Sequence, residues 1–342
     1  MHRALRLTLD RSALQANWRW LGERAGVEAG AAVKADGYGL GAREAVAALV
    51  EAGCRTFFVS TWAEAAELGS IPSGCELVVL HGVGSDDVEA ALASAARPVL
   101  NTSKQVARWR ETAPGRACDI MVDTGMNRLG LALSDIAALE GLAIDTLHSH
   151  LACADEDNAM NARQLATFRE VVGMVTARRY SFANSAGICL GREYAFDLVR
   201  PGLALYGGVP RVEADGQIRE VARVEAQIVQ RRTIRAGDSC GYGATFLAEA
   251  DTEAAILNLG YADGYLCGFS GRGAVFAGEF ALPVLGRVSM DLIAVDCDAV
   301  RELKEGDWIE VDYDLPSAAE QSGLSQYELL TTLGSRFDRR WR

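Results

Sequence analysis

The stretch at 31–36, AAVKAD, is the first of eight short apolar runs that extend to about residue 207. The others are TFFVS at 56, ELVVLHG at 76, RPVLN at 97, CDIMVD at 118, IDTLHSH at 144, SFANS at 181 and VRPGLALYG at 199. Ala-rich stretches of helical periodicity, such as GAREAVAALVEAG at 41, lie between them. Eight strand–helix repeats predict an α/β fold with an N-terminal (β/α)8 TIM-type barrel, because a parallel sheet covered by helices is apolar on both faces.

The pattern changes after about residue 218. REVARVEAQIVQRRTI at 219, EAAILNLGY at 253 and DWIEVD at 307 are typical of strands separated by Gly and Asp turns. We therefore predict a barrel over 8–217 and a C-terminal β-rich domain over 218–342 together with 1–7. A helix beginning near residue 12 is expected to precede the barrel, with Ser12 as its N-cap.

Composition restricts the class of partner and the compartment. The formal net charge of −12 argues against nucleic acid and anionic membranes, but it leaves room for an anionic small molecule held by local arginines. The eight cysteines are scattered without a C-x-x-C pair, which indicates reduced thiols and no zinc site. We find no signal segment and no apolar run of the ~18 residues that span a membrane. A cytoplasmic location is expected.

Candidate catalytic residues follow the strands, because (β/α)8 enzymes place their chemistry at the C-terminal strand ends. These residues are Lys34, the segment 123–128, His148 with His150, Asn184 with Ser185, and Arg200. Burial lowers the pKa of an ammonium group and frees the amine for Schiff-base chemistry. On residue type alone, Lys34 could equally extend its ammonium group to solvent, and Arg200 could be a surface ion-pair partner.

Eight motifs in order give the chain a resemblance to a known family. They are AVKADGYGLG at 32, DTGMNRLG at 123, SHLACAD at 149, ANSAG at 183, VRPGLALYG at 199, GYGATF with GYADGY at 241 and 260, and GRVSMDLIAVD at 286. In this order they resemble the motifs of alanine racemases along nearly the whole chain. The resemblance implies an isomerase that uses pyridoxal 5′-phosphate (PLP) to interconvert L- and D-alanine, a small amino-acid substrate.

The resemblance also implies a cofactor site. Lys34 would hold PLP covalently. The phosphate contacts would be Tyr38, Ser185, the backbone amides near Gly202 and Leu203, and Tyr327. Around the ring would lie Arg128, His150, Asn184 and Arg200, with Arg200 at the pyridine nitrogen and His150 in contact with it. The loops after the seventh and eighth strands of this fold are a common phosphate site, which agrees with this placement.

Racemisation needs proton-transferring groups on both faces of the substrate, and the family supplies them from two chains. Lys34 would serve one face and Tyr242 of the partner subunit the other, in a homodimer with shared active sites. Substrate contacts would be Arg128, Tyr261, Arg287 and Met290. A tyrosine acting as a base would need nearby positive charge, which Arg200 and a protonatable His150 would supply. Without the resemblance, Tyr242 is an ordinary aromatic residue in a Gly-rich turn.

Three positions depart from common family members. Met121 stands where many have a lysine that is carbamylated and pairs with the arginine of the MNRLG motif, and methionine cannot form a carbamate. Leu40 stands where histidine is frequent. Leu266 and Cys267 stand where an arginine often lines the access channel, so the channel is expected to differ. None of the three changes removes either predicted base.

Other classes of protein share parts of this sequence pattern. A metal-dependent hydrolase would need more ligands than the HSH segment offers, since the only other histidines are His2 and His81. A non-catalytic PLP carrier would keep Lys34 but would have neither a β domain nor a second base. A PLP-dependent decarboxylase is disfavoured because Arg200, not an acid, would face the ring nitrogen. A racemase of broader specificity, which also accepts serine, stays open.

Overall fold

A computed structural model describes residues 2–342, which divide into two compact units. The first consists of Leu14–Arg219, and the second of the chain up to Ala13 together with Glu220–Arg342. Among the described residues no helix is both long enough and apolar enough to cross a lipid bilayer.

The unit Leu14–Arg219 is a closed barrel of eight parallel strands. The strands are Glu28–Ala29 continuing in Ala31–Ala32, then Thr56–Val59, Glu76–Val79, Arg97–Leu100, Cys118–Met121, Ile144–His148, Arg179–Ser181 and Leu198–Val199. Neighbours pair in parallel from the first to the seventh, and the eighth pairs with Glu28–Ala29. Between the seventh and eighth strands, the amide of Arg200 donates to the Ala183 carbonyl at 2.9 Å. Each predicted apolar run overlaps one strand, so the predicted barrel is confirmed.

Gly30 divides the first barrel strand at a close approach to its neighbour. A Cβ atom at this position would lie 2.8 Å from the Phe58 ring and 2.9 Å from the Thr56 carbonyl oxygen. Any larger residue would push the first two strands apart. Glycine therefore allows the first strand to pair on both sides and close the barrel.

Helices connect the barrel strands. The α-helices before residue 219 are Arg11–Ala25, Ala42–Ala52, Trp62–Leu68, Val88–Ala93, Ser103–Thr112, Ala159–Met174 and Ser185–Leu190, with a short helical turn at Lys34–Tyr38. The 3-10 helices are Leu133–Leu139, Arg192–Tyr194, Leu203–Tyr206 and Val212–Ala214. At the first helix the predicted cap is wrong, because the Asp10 carboxylate accepts the Ala13 amide at 2.9 Å. Ser12 instead donates its hydroxyl to Asp10 at 2.8 Å.

Charged side chains cross the barrel interior at the N-terminal ends of its strands. This basal ion-pair ring consists of Glu28, Glu76, Arg97, Asp119, Asp145 and Arg179. Arg97 contacts Glu76 at 3.1 Å, Asp119 at 2.5 Å and Asp145 at 3.0 Å. Arg179 contacts Glu28 at 3.0 Å, Glu76 at 2.7 Å and Asp145 at 2.9 Å. Three of these pairs, Arg97–Asp145, Arg179–Glu28 and Arg179–Glu76, join strands that are not neighbours, so the ring links opposite sides of the bottom of the barrel.

The second unit is β-rich, as predicted. Six of its strands form a closed antiparallel ring in the order Thr252–Leu257, Ile293–Asp296, Phe280–Leu285, Ala274–Ala277, Trp308–Val311 and Ala222–Ile234. Leu5–Leu9 pairs with Ala222–Ile234, and Asp338–Trp341 pairs in parallel with Leu5–Leu9. A small hairpin, Ser239–Cys240 with Phe246–Leu247, carries the GYGATF motif. The helices are Leu315–Ser322 and Gln326–Thr331, with 3-10 turns at Tyr242–Ala244, Tyr261–Asp263 and Cys267–Phe269.

Candidate active site

Lys34 lies where the first barrel strand ends, at the start of an unusual left-handed turn. Ala35, Asp36 and Tyr38 have φ angles of 51°, 51° and 56°, a region that non-glycine residues seldom adopt. Side chains hold the turn: Glu64 accepts the Ala35 amide at 2.9 Å, and Asp36 accepts the amide of residue 42 at 2.8 Å. Conformations of this kind persist where the surroundings enforce them, and they cluster at functional sites.

Lys34 belongs to a cluster of cations around His150. Burial and the charge of Arg128 lower the pKa of the Lys34 amine, while Glu64 acts in the opposite direction. Burial, together with the charges of Arg200, Arg128 and Lys34, lowers the pKa of His150 to about 3. The imidazole is therefore neutral at neutral pH, so His150 does not supply the positive charge that was expected of it beside Tyr242. Three cations at one end of the barrel give an acidic protein a local site for anions.

Arg200 is buried, and protein acceptors bind four of its five N–H groups. Its Nη1 donates to His148 Nδ1 at 3.2 Å and to Ser181 Oγ. Its Nη2 donates to the carbonyls of Ser149 at 2.6 Å and Phe182 at 3.5 Å. Its Nε–H has no acceptor among residues 2–342. The histidine that Arg200 hydrogen-bonds is His148, not the predicted His150.

Asp119 contacts the other ring nitrogen of His148, on the side away from Arg200. Its Oδ2 lies 3.0 Å from His148 Nε2, and both side chains are fully buried. Burial lowers the pKa of His148 to about 4, in spite of the neighbouring carboxylate. Both ring nitrogens of His148 are thus engaged, so this histidine is not available to a metal.

The loop after the eighth strand forms a cradle with Ser185. The Ser185 hydroxyl accepts the amides of Gly202 at 2.9 Å and Ala204 at 3.3 Å. Gly202 precedes the 3-10 helix Leu203–Tyr206. A Cβ atom on Gly202 would lie 2.0 Å from the Tyr38 hydroxyl oxygen, so only glycine fits there. Four of the predicted phosphate contacts, Tyr38, Ser185, Gly202 and Leu203, therefore lie together.

Two further predicted residues occupy the same end of the barrel. Asn184 caps the helix Ser185–Leu190 by accepting the Gly187 amide at 2.8 Å. Arg128 is exposed on the loop that follows the fifth strand. Its guanidinium has neither a hydrogen bond nor an ion pair within the described chain, so all its donors are available to an anion. Met121 is buried and pairs in register with His148 across the fifth and sixth strands.

The remaining predicted residues belong to the β-rich unit, and most of them are exposed. Tyr242 is 74% and Met290 53% exposed. A Cβ atom on Gly243 would lie 3.5 Å from the guanidinium carbon of Arg287, which places this arginine beside the Tyr242 turn. The amide of Tyr261 donates to the Ser289 carbonyl at 3.0 Å, so the GYADGY and GRVSMD motifs are neighbours. Tyr327 lies in the helix Gln326–Thr331.

One ion-pair group supports these motif loops. Arg336 contacts buried Asp263 through two bonds of 2.6 Å and Asp291 through a third of the same length. No sequence pattern singles out Arg336 or, in the barrel, Asp119 and Ser181. The available signal for Asp119 is an acid near the start of the apolar strand run CDIMVD.

The fold and the site define a class: a (β/α)8 protein with a lysine at the end of its first strand and an anion cradle after its eighth. Family models for the alanine racemase N-terminal domain and C-terminal domain match residues 9–210 and 221–341. The alanine racemase of Methylobacterium nodulans is 40% identical over 98% of this chain and 95% of its own. That of Dinoroseobacter shibae is 40% identical over 98% and 97%.

A solved structure agrees with these relatives. The alanine racemase of Bartonella henselae, whose crystal structure contains covalently bound pyridoxal phosphate, superposes with a TM-score of 0.94 at 35% identity, and the match covers 100% of both chains. The chain belongs to the alanine racemase family, which confirms the predicted resemblance.

Proposed function

We propose that this protein interconverts L-alanine and D-alanine, using PLP held covalently on Lys34. The observation that carries the proposal is an amine of lowered pKa that lies among Arg128, Arg200 and neutral His150. An amine in this state can bond to an aldehyde at neutral pH. The surrounding cations suit the phosphate of the cofactor and the carboxylate of an amino acid, although the chain as a whole carries a net charge of −12.

The donors present fit PLP. The phosphate would lie at the cradle of Ser185, Gly202 and Leu203, with Tyr38 closing one side. The unoccupied Nε–H of Arg200 would meet the pyridine nitrogen. Asn184 and His150 would lie beside the ring. When bound, PLP acts as an electron sink that makes the Cα–H bond of an attached amino acid acidic.

Arg200 favours racemisation over other PLP reactions. A guanidinium is always cationic and only donates hydrogen bonds, so Arg200 would keep the pyridine nitrogen of PLP unprotonated. The cofactor would then be a weaker electron sink than with a carboxylate partner, which would limit side reactions such as transamination. Arg128, whose donors have no protein acceptor among residues 2–342, would bind the substrate carboxylate.

Two residues would move the proton. The Lys34 amine, once the substrate has displaced it, would take or return the α-proton on one face of the substrate. The phenol oxygen of Tyr242 of the partner subunit would do so on the other. Arg287, Met290 and Tyr261 of the partner subunit would complete the substrate pocket, so the β-rich unit would serve its neighbour's barrel in a C2 dimer.

A cytoplasmic location belongs to the same proposal. All eight cysteines are free thiols, and four of them are buried. Unpaired thiols in this number are typical of a reducing compartment.

Deuterium exchange tests the reaction directly. The purified protein, loaded with PLP in D2O, is given L-alanine or D-alanine separately, and Cα deuterium is followed by mass spectrometry. We expect exchange from both enantiomers and appearance of the opposite one. PLP bound without exchange from either enantiomer would indicate a carrier, and release of CO2 would indicate a decarboxylase.

A further inference from the structure

Arg200 owes part of its orientation to residues far from the candidate substrate site. Of its five N–H groups, Nη1 and Nη2 supply four to protein acceptors. Three of those acceptors belong to Ser181, Ser149 and Phe182, which are residues of the strand ends themselves. The fourth is the imidazole of His148, whose position depends in turn on a buried carboxylate.

The two neighbours of His148, Arg200 and Asp119, determine which ring nitrogen accepts a hydrogen bond and which donates one. Arginine has only donors, so the Nδ1 atom that faces Arg200 must accept. The proton of the neutral ring therefore sits on Nε2, which donates to Asp119 Oδ2 at 3.0 Å. A neutral ring is required, because a protonated imidazole would offer no acceptor to the guanidinium.

Asp119 links this histidine to the basal ion-pair ring. Its other oxygen, Oδ1, pairs with Arg97 at 2.5 Å and accepts the Thr146 amide at 3.2 Å. The carboxylate is thus held from two sides in a fully buried position. A continuous chain Arg97–Asp119–His148–Arg200 runs from the bottom of the barrel to the cation cluster.

We propose that Asp119 and His148 are positioning residues that aim the free Nε–H of Arg200 at the cofactor's pyridine nitrogen. The inference rests on the proposed function, in which Arg200 meets that nitrogen. The ring of His148 orients Nη1, and because a guanidinium is planar, fixing Nη1 and Nη2 also fixes the direction of Nε–H. Neutral His148 transmits this geometry without adding a charge beside the arginine.

The test compares PLP with an analogue in which a carbon replaces the pyridine nitrogen. Both ligands carry the same aldehyde and phosphate, so the ratio of their dissociation constants reports the Arg200 contact alone. We expect the wild-type apoprotein, measured by titration calorimetry, to prefer PLP roughly tenfold or more, the size of one charge-assisted hydrogen bond. His148→Phe should reduce this preference to about threefold or less, because Nη1 loses an acceptor.

Two variants make the comparison specific. His148→Gln can accept from Arg200 and donate to Asp119, so it should restore the preference for PLP. Glu28→Gln removes a charge from the basal ion-pair ring at Arg179 without touching the chain, so it should keep the wild-type preference. An unchanged preference in His148→Phe, or an equal loss in Glu28→Gln, would overturn the inference. A wild type that binds both ligands equally would instead refute the proposed contact between Arg200 and PLP.

The wild-type protein alone offers a second test that needs no variant to fold. With ¹⁵N-labelled histidine, only four imidazoles are visible. His148 should show a neutral ring with the proton on Nε2 between pH 6 and 8. A proton on Nδ1 would break the chain at Arg200 and contradict the assignment.

Discussion

The barrel site and the surface around Tyr242 differ in how completely one chain builds them. Arg200 is 7% exposed and four of its donors are bound, whereas Tyr242 is 74% exposed. Proton transfer at neutral pH relies on groups placed in a protected, polar environment. The barrel residues are thus the buried, preorganised half of the proposed site, and Tyr242 is the exposed half, which a second copy would cover in the proposed dimer.

Replacing Lys34, in the buried half of the proposed site, should have the largest effect on activity. Lys34→Ala would delete both the proposed covalent attachment point and one of the two proposed bases, so racemisation should fall by about 10⁴-fold or more. The visible absorption of covalently held PLP should vanish as well, which a spectrum of the purified variant measures. Tyr180→Phe, a change of one hydroxyl on a seventh-strand tyrosine outside the site, serves as the matched control. A variant that keeps substantial activity would remove Lys34 from the mechanism.

Removing the exposed base should have a smaller and one-sided effect. Tyr242→Phe keeps the ring and should leave PLP absorption intact while racemisation falls by about 10³-fold. Cα deuterium exchange should be lost mainly from L-alanine, since D-alanine would still present its proton to Lys34. Equal loss from both enantiomers would assign Tyr242 a structural role.

Mixing the two inactive variants tests whether the two halves come from different chains. In a dimer of Lys34→Ala with Tyr242→Phe, one site combines both defects and the other has neither. Random reassociation makes half of the dimers mixed, so activity should recover to about a quarter of wild type. No recovery, with mixed dimers verified by mass spectrometry, would place both bases within one chain.

The smallest expected effect is on the pH dependence of stability, and it tests His148 in the buried half of the proposed site. The pKa of His148 is about 4 in the folded protein, against about 6.5 when the chain is unfolded. The unfolded chain therefore binds the proton first, and stability falls as pH drops below about 6.5 towards 4. At pH 5 the titration of His148 should lower the free energy of unfolding by about 2 kcal/mol relative to pH 7.5. His148→Gln should remove this difference, which urea unfolding at pH 7.5 and pH 5 measures. An unchanged pH dependence in the variant would show that His148 is not the titrating group.

The barrel could be predicted because each strand carries its own signal. Every apolar run, from AAVKAD to VRPGLALYG, is bounded by helical periodicity, and a residue as polar as Lys34 inside such a run is conspicuous. Local chemistry of this kind needs no knowledge of distant contacts. The first helix shows the limit even here, because Asp10 and Ser12 are both good caps and only the geometry selects Asp10.

The support of Arg200 could not be predicted for the opposite reason. Its partner His148 lies 52 residues away, and Asp119 lies another 29 residues before that. Nothing near Asp119 in the sequence indicates that the fold buries it between an arginine and a histidine. The charge state of His150 has the same origin, since the cations that lower its pKa come from three different strand ends.

The cation cluster on an acidic protein has a kinetic consequence. At long range a net charge of −12 repels an anionic ligand, and attraction begins only within about one Debye length of the cluster, ~10 Å at 0.1 M salt. Added salt should therefore speed the capture of PLP by the empty protein while loosening its hold once captured. Both the association rate and the dissociation rate of PLP would then rise with ionic strength. The salt concentration in the cell would therefore influence how quickly newly made protein acquires its cofactor.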